Sequence, residues 1–283
     1  MTTDPQTQKT DFDSIYDQPD PRQYFSTLEA FDYLVPQHGA DLFAEVLQAR
    51  TADNGRPPKI LDVCCSYGVV ATLMKTHLDL SDVYAHYRGA ASQSLSRDRL
   101  VELDQKLLAD HARPGGPEVV GLDVARNALD YAVETGALDA GIVANLELEE
   151  PSDELTAQVA DVDLITTTGG VGYVTDRTFG RLTEVTADSA WVAAFCLRTY
   201  DYQPIEDALE ARGLQTERVT QTFPQRRFTG PEEKQWAVSE VSSRGLDPAG
   251  KESDGYLHAE FYLSRPAADV EARPLAELLP GHP

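Results

Sequence analysis

The chain is poor in positive charge. Its 283 residues hold 24 Lys and Arg against 47 Asp and Glu, a formal net charge of −23. Nucleic acid and anionic membrane surfaces are gripped by clustered Lys and Arg, so neither is expected as a partner. Cysteine is nearly lacking, with only Cys64, Cys65 and Cys196. An odd count with two adjacent residues fits neither a secreted disulfide framework nor a zinc spacing. A reducing cytoplasm is therefore the expected location, and no metal is expected. No apolar run reaches the ~20 residues of a membrane helix. The stretch MTTDPQTQKTDFDS lacks the basic and apolar regions of a secretory signal. The pattern G-x-G-x-x-G is missing too, which speaks against a nicotinamide oxidoreductase.

What remains suits one enzyme-sized domain: 41% of residues are hydrophobic, enough for an ordinary core without staples. Residues 1–20 are polar with two prolines and read as a frayed arm. Helical spacing of Tyr24, Leu28 and Phe31, then of Leu42, Val46 and Leu47, predicts two helices over 22–50, with Pro36 ending the first. The composition of 51–59 is that of a linker, so residues 1–54 read as an arm and helical lid before a domain over 55–283. Apolar runs at 59–65, 118–124, 140–148, 162–170, 190–200, 214–223 and 256–265 read as strands. Helices are expected at 69–77, 127–136, 179–185, 204–212 and 231–243. Residues 78–117 show no strand pattern, and 96–112 carry a leucine stripe behind Ser96 as N-cap. The alternation predicts an α/β fold, Rossmann-like and doubly wound. It has a mostly parallel seven-stranded sheet with helices on both faces, N-terminal helices, and a helical insertion after the first βα unit.

Ligands of such a sheet sit beyond the carboxyl ends of its strands. The first end is DVCCSYG, where Cys64, Cys65 and Ser66 are small and Gly68 is conformationally free. Asp123 closes VVGLD, where a carboxylate can accept two ribose hydroxyls. Here the sequence resembles the class I S-adenosylmethionine-dependent methyltransferases. ILDVCCSYG stands where that family has its LDxGxGxG motif, VVGLDVARNALDYAVETG resembles the second motif, and IVANLEL and VDLITTTGGVGYV resemble the third and fourth strand tips. The resemblance runs in order over about residues 57–265. Gly68 alone survives of the first motif's glycines, and about forty residues, near 78–117, are inserted relative to a minimal unit.

The resemblance implies S-adenosylmethionine as cofactor, held by Asp62, Cys64, Ser66, Gly68, Asp123, Val124, Asn145, Leu146, Thr168 and Gly169. Asp62 would meet the cofactor's ammonium, Asp123 its ribose and Asn145 its adenine amine. Tyr173, Asn145 and His86 are the candidates for catalysis, with His86, between Tyr84 and Tyr87, as general base. Tyr67 either packs beside the methionyl chain or caps the turn. His258 reads as a core or surface residue. Arg226 and Arg227 are expected on a loop, as an anion clamp or in solvent, and Tyr16, Tyr24, Phe25 and Phe31 as a lid or as core.

Three functions follow. The first is methyl transfer to a small-molecule metabolite. The second uses the same cofactor without methylation: bulkier residues in the first motif hold the methionyl chain so that its own amine closes azetidine-2-carboxylate and releases methylthioadenosine. The third is a binding module that kept the fold.

Overall fold

The computed structural model describes residues 2–3, 9–54 and 58–282. Seven strands form the central sheet. They are β1 (Lys59–Val63), β2 (Glu118–Asp123), β3 (Ala140–Val143), β4 (Leu164–Thr167), β5 (Trp191–Leu197), β6 (Leu214–Arg227) and β7 (Tyr256–Pro266). Their spatial order is β3-β2-β1-β4-β5-β7-β6. The first five run parallel, and β7 inserts antiparallel between β5 and β6. The order reverses between β1 and β4, so the crevice expected at a switch point opens beyond the end of β1.

The parallel strands read as continuous apolar runs because both faces are covered. Every residue of WVAAFCL is buried. Alternate side chains feed two cores. Ile60, Val119 and Phe195 point to one, and Leu61, Val120 and Cys196 to the other. The first core takes the helices Val35–Asn54, Val69–Lys75 and Arg126–Thr135; the second takes Asp153–Val159, Asp176–Val185 and Gln203–Glu210.

Several local expectations need correction. The polar arm is not frayed throughout. Residues 1 and 4–8 lie outside the described residues, but Phe12 and Ile15 are buried in the first core, and the Thr10 N–H donates to Glu233 Oε1 at 2.9 Å. Pro36 does not end a helix. The first helix stops at Glu29, and Pro36 is the second residue of Val35–Asn54, where its missing N–H costs nothing. That helix also runs through residues 51–54 of the expected linker; 55–57 lie outside the described residues.

The insertion folds as the helices Leu80–Arg88, Ala90–Ser94 and Arg97–His111, closed by a bridge between Thr76 and Ala112. Ser96 is the N-cap of the last but makes no side-chain cap bond. Strand β6 continues to Arg227 through irregular register around Pro224, which an edge strand tolerates. Arg226 and Arg227 are therefore strand residues. Arg226 is no anion clamp: it is buried and its guanidinium engages Glu233 through two bonds of 2.9 and 2.6 Å. Arg227 pairs with Asp32 at 3.0 Å. No helix among the described residues is long and apolar enough to cross a membrane.

Candidate active-site cleft

Beyond Val63 the chain must turn from strand to helix within five residues. It does so with left-handed backbone at alternate positions: φ is 58° at Cys64, 49° at Ser66 and 68° at Gly68. These are the three places where the LDxGxGxG motif has glycine. A left-handed non-glycine residue costs roughly 1–2 kcal/mol, so two of them must be held from outside. The Cys64 N–H donates to the Leu122 carbonyl at 2.8 Å. The Asp123 carboxylate does more: Oδ2 accepts the Ser66 N–H at 2.8 Å and Oδ1 the Ala125 N–H at 2.9 Å. Burial raises the Asp123 pKa, while these N–H groups oppose the rise. Small side chains matter on the far side of the turn, as the close approach at Gly121 shows. A Cβ there would come within 2.6 Å of Cys65 Sγ and 2.5 Å of Leu138.

A cleft of about 340 Å³ opens over this turn, within the range of small-molecule sites. Its floor is Asp62, Cys64, Ser66, Asp123 and Val124; Thr168, Gly169 and Tyr173 form one wall. Asp62, 2% exposed, accepts Thr166 Oγ1 at 2.9 Å. Burial pushes its carboxyl up to about 7; the Thr166 hydroxyl pulls the other way, and the charge of Asp123 adds to the rise. Burial also pushes the Cys64 thiol far up, away from thiolate chemistry. The Ser66 hydroxyl is buried in the floor with no hydrogen-bond partner.

The roof is the N-terminal segment, through Asp13, Tyr16, Asp17, Tyr24 and Tyr33. Three anchors hold it down. The Asn127 N–H donates to Asp17 Oδ1 at 2.7 Å. Tyr67 accepts the Gln18 N–H and donates to the Gln18 carbonyl, both at 2.9 Å, so its hydroxyl serves the roof. Glu233 receives Thr10 as well as Thr229 and Arg226, while Phe12 lies 5.1 Å from the Arg226 guanidinium. Burial works against the Glu233 charge, but Arg226 and the two N–H groups outweigh it and hold the carboxyl at about 2.

Of the residues singled out in the sequence, the cleft gathers Asp62, Cys64, Ser66, Asp123, Val124, Thr168, Gly169 and Tyr173. Four stand elsewhere. Gly68 caps the helix Val69–Lys75 and backs onto Ala137 and Leu138, where a Cβ would meet 3.3 and 3.2 Å contacts. Asn145 lies past the early end of β3, and its Oδ1 accepts the Glu147 N–H at 3.1 Å; the side chain serves its own turn. Leu146 is buried in the second core. His86 belongs to the insertion, with Nε2 2.6 Å from Asp104 Oδ1, and Asp104 also accepts the Tyr87 and Tyr131 hydroxyls at 2.6 Å. No residue of the insertion lines the cleft, so His86 is not placed to act as its base. His258 sits in β7, its Nδ1 3.1 Å from Thr222 Oγ1.

No family model matches the sequence, and no curated protein matches it. Solved structures are similar. A TehB-like S-adenosylmethionine-dependent methyltransferase from Corynebacterium glutamicum is 18% identical over 77% of this chain and 86% of its own, with a TM-score of 0.36. The magnesium protoporphyrin IX methyltransferase of Synechocystis, solved with bound S-adenosylmethionine, is 10% identical over 83% and 81%, with a TM-score of 0.43. A plantazolicin methyltransferase in complex with S-adenosylhomocysteine is 11% identical over 89% and 93%, with a TM-score of 0.43. The sheet order, mostly parallel with one antiparallel strand inserted before the edge, is the Rossmann-like seven-stranded arrangement expected from the sequence.

Proposed function

We propose that the cleft binds S-adenosylmethionine and that the protein is a methyltransferase acting on a small molecule. The observation that carries this reading is Asp123, a carboxylate at the tip of β2 that lines the cleft while pinning the turn after β1. A second supports it: the Ser66 hydroxyl is buried beside it and lacks a partner, as expected of a group whose partner is a ligand.

The residues fit the cofactor's parts. Asp123 can accept ribose hydroxyls with the lone pairs that Ser66 and Ala125 leave open. Val124, exposed at the strand tip, offers an apolar face to the adenine. Asp62 can meet the methionyl ammonium, whose charge would pull the carboxyl down from about 7 and ionise it. When bound, S-adenosylmethionine supplies a methyl group on a sulfonium that carries its own leaving group. The chain's tasks are then to position the acceptor and exclude water. Tyr173 and Thr168, on the wall, are placed to orient an acceptor, and the tyrosine roof keeps water out.

Incubation with labelled cofactor and a metabolite mixture should give a labelled methylated product. Cofactor alone should yield no methylthioadenosine. Its release without an acceptor would replace methyl transfer by intramolecular cyclisation to azetidine-2-carboxylate.

A further inference from the structure

The roof of the cleft has a composition that the cofactor's floor contacts do not use. Tyr16, Tyr24 and Tyr33 come from it, Tyr173 joins them from the wall, and Asp13 and Asp17 stand beside them. Among the described residues, no Lys, Arg or His lines the cleft. The Arg226 guanidinium, whose charge reaches Tyr16 and Tyr33, is committed to Glu233. Lys9 lies 5.0 Å from the Tyr173 ring centroid without lining the cleft, so this ring already carries a cation.

Tyr24 is 4% exposed, and its ring meets Tyr16, Phe25 and Tyr67 edge-on. Among the described residues its hydroxyl has no hydrogen-bond partner. Tyr24 also lines the cleft, and a polar group on a cavity wall without a protein partner points to a ligand. The Tyr33 hydroxyl lies over Gly169, where a Cβ would come within 2.9 Å, so the roof closes directly on the wall.

Charge decides what that ligand is. Tyrosine hydroxyls alone would serve an anion, a neutral carbonyl or a cation. Here they are combined with the roof carboxylates of Asp13 and Asp17, Asp62 and Asp123 being engaged by the cofactor. An anionic substrate would meet no basic side chain among the described residues that line the cleft. A cation would find aromatic faces and carboxylates together, the environment that recognises ammonium groups. We infer that the second substrate is a small organic cation, an aliphatic amine protonated in solution, held between the Tyr16, Tyr24 and Tyr33 side chains and Asp13. The inference rests on the cofactor reading in one respect only: a nucleoside on the floor leaves the roof to the acceptor.

The test compares three molecules of one shape by ligand-observed NMR: 2-(dimethylamino)ethanol, the neutral isostere 3-methylbutan-1-ol, and the anion 3-methylbutanoate. Each is added to the full chain, free and loaded with S-adenosylhomocysteine. The amine should bind at least tenfold more tightly than the alcohol, and the carboxylate weakest. Tyr24→Phe, which removes only the hydroxyl, should weaken amine binding, and Tyr24→Leu, which removes the ring as well, should reduce the preference several-fold. Asp13→Asn, at a site away from the core, should reduce it too and guards against misfolding of the leucine variant. Equal binding of amine and alcohol, a preference for the carboxylate, or no amine binding in either state would overturn the inference. Binding of S-adenosylhomocysteine is read separately by calorimetry. If it fails, the nucleoside reading falls, and the comparison on the free protein still decides the cation.

Discussion

The Asp123 carboxylate accepts the Ser66 N–H at 2.8 Å, so the tip of one strand fixes the backbone turn that follows its neighbour. The same carboxylate lines the cleft. On the proposed function, ligand binding and local stability share this one side chain, and substitutions there should show both effects.

Ser66 separates the two. Its left-handed backbone, φ 49°, is strained, and its hydroxyl is buried without a partner. Ser66→Gly relieves roughly 1–2 kcal/mol of strain against roughly 0.5–1 kcal/mol of added chain entropy in the unfolded state. The variant should be slightly more stable in urea denaturation, while S-adenosylhomocysteine binds it several-fold more weakly. Ser66→Val, β-branched at positive φ, should lose stability instead.

Asp62 should make both stability and binding depend on pH. Its carboxyl is pushed up to about 7 by burial, against an ordinary value of 3.8. Between those values the folded state holds a proton that the unfolded state has released. Raising pH through that window therefore lowers stability. Asp62→Asn should flatten this slope in denaturation curves recorded from pH 4 to 8. Binding of the cofactor's ammonium runs the other way: it favours the ionised carboxylate, so affinity should rise as pH passes 7 and the complex should take up less pH-dependence once Asp62 is replaced.

Glu233 is the latch of the roof. Removing one partner of a buried ion pair costs roughly 3–5 kcal/mol, because the other charge is left without compensation. Glu233→Gln should destabilise the protein by about that amount and also loosen the segment from Thr10 onward, read as faster amide exchange over Thr10–Asp17. Its carboxyl is held at about 2, below the ordinary 4.5. The stability it contributes is thus complete above pH 4.5 and lost as pH falls toward 2. Unchanged exchange in the segment would show that the anchors at Asp17 and Gln18 suffice.

The sheet was legible because buried parallel strands are written as unbroken apolar runs, WVAAFCL being the clearest. The cleft floor was legible for a related reason: Asp62 and Asp123 end such runs, and small residues between Asp62 and Gly68 signal a tight turn. Other features are fixed by partners distant in sequence. Phe12 and Ile15 are single apolar residues in a polar stretch, and nothing local says that they reach the core or that Glu233 waits for Thr10. Tyr33 and Asp13 join the cleft only through that packing. His86, between two tyrosines, reads the same whether it faces a ligand or Asp104. Pro224 suggests a loop, because proline cannot donate to a ladder, yet at a sheet edge β6 absorbs it in a register shift. Asn145 looked like a strand tip, but β3 ends at Val143 and the side chain turns back on Glu147.

The most direct measurement is calorimetric titration of S-adenosylmethionine into the wild-type chain and Asp123→Ala, with circular dichroism confirming that both are folded. The expected result is one site per chain in the wild type and at least tenfold weaker binding in the variant, the loss of hydrogen bonds to a charged acceptor being worth roughly 1.5–3 kcal/mol each. Absence of binding in the wild type, or equal binding in a folded Asp123→Ala protein, would contradict the account.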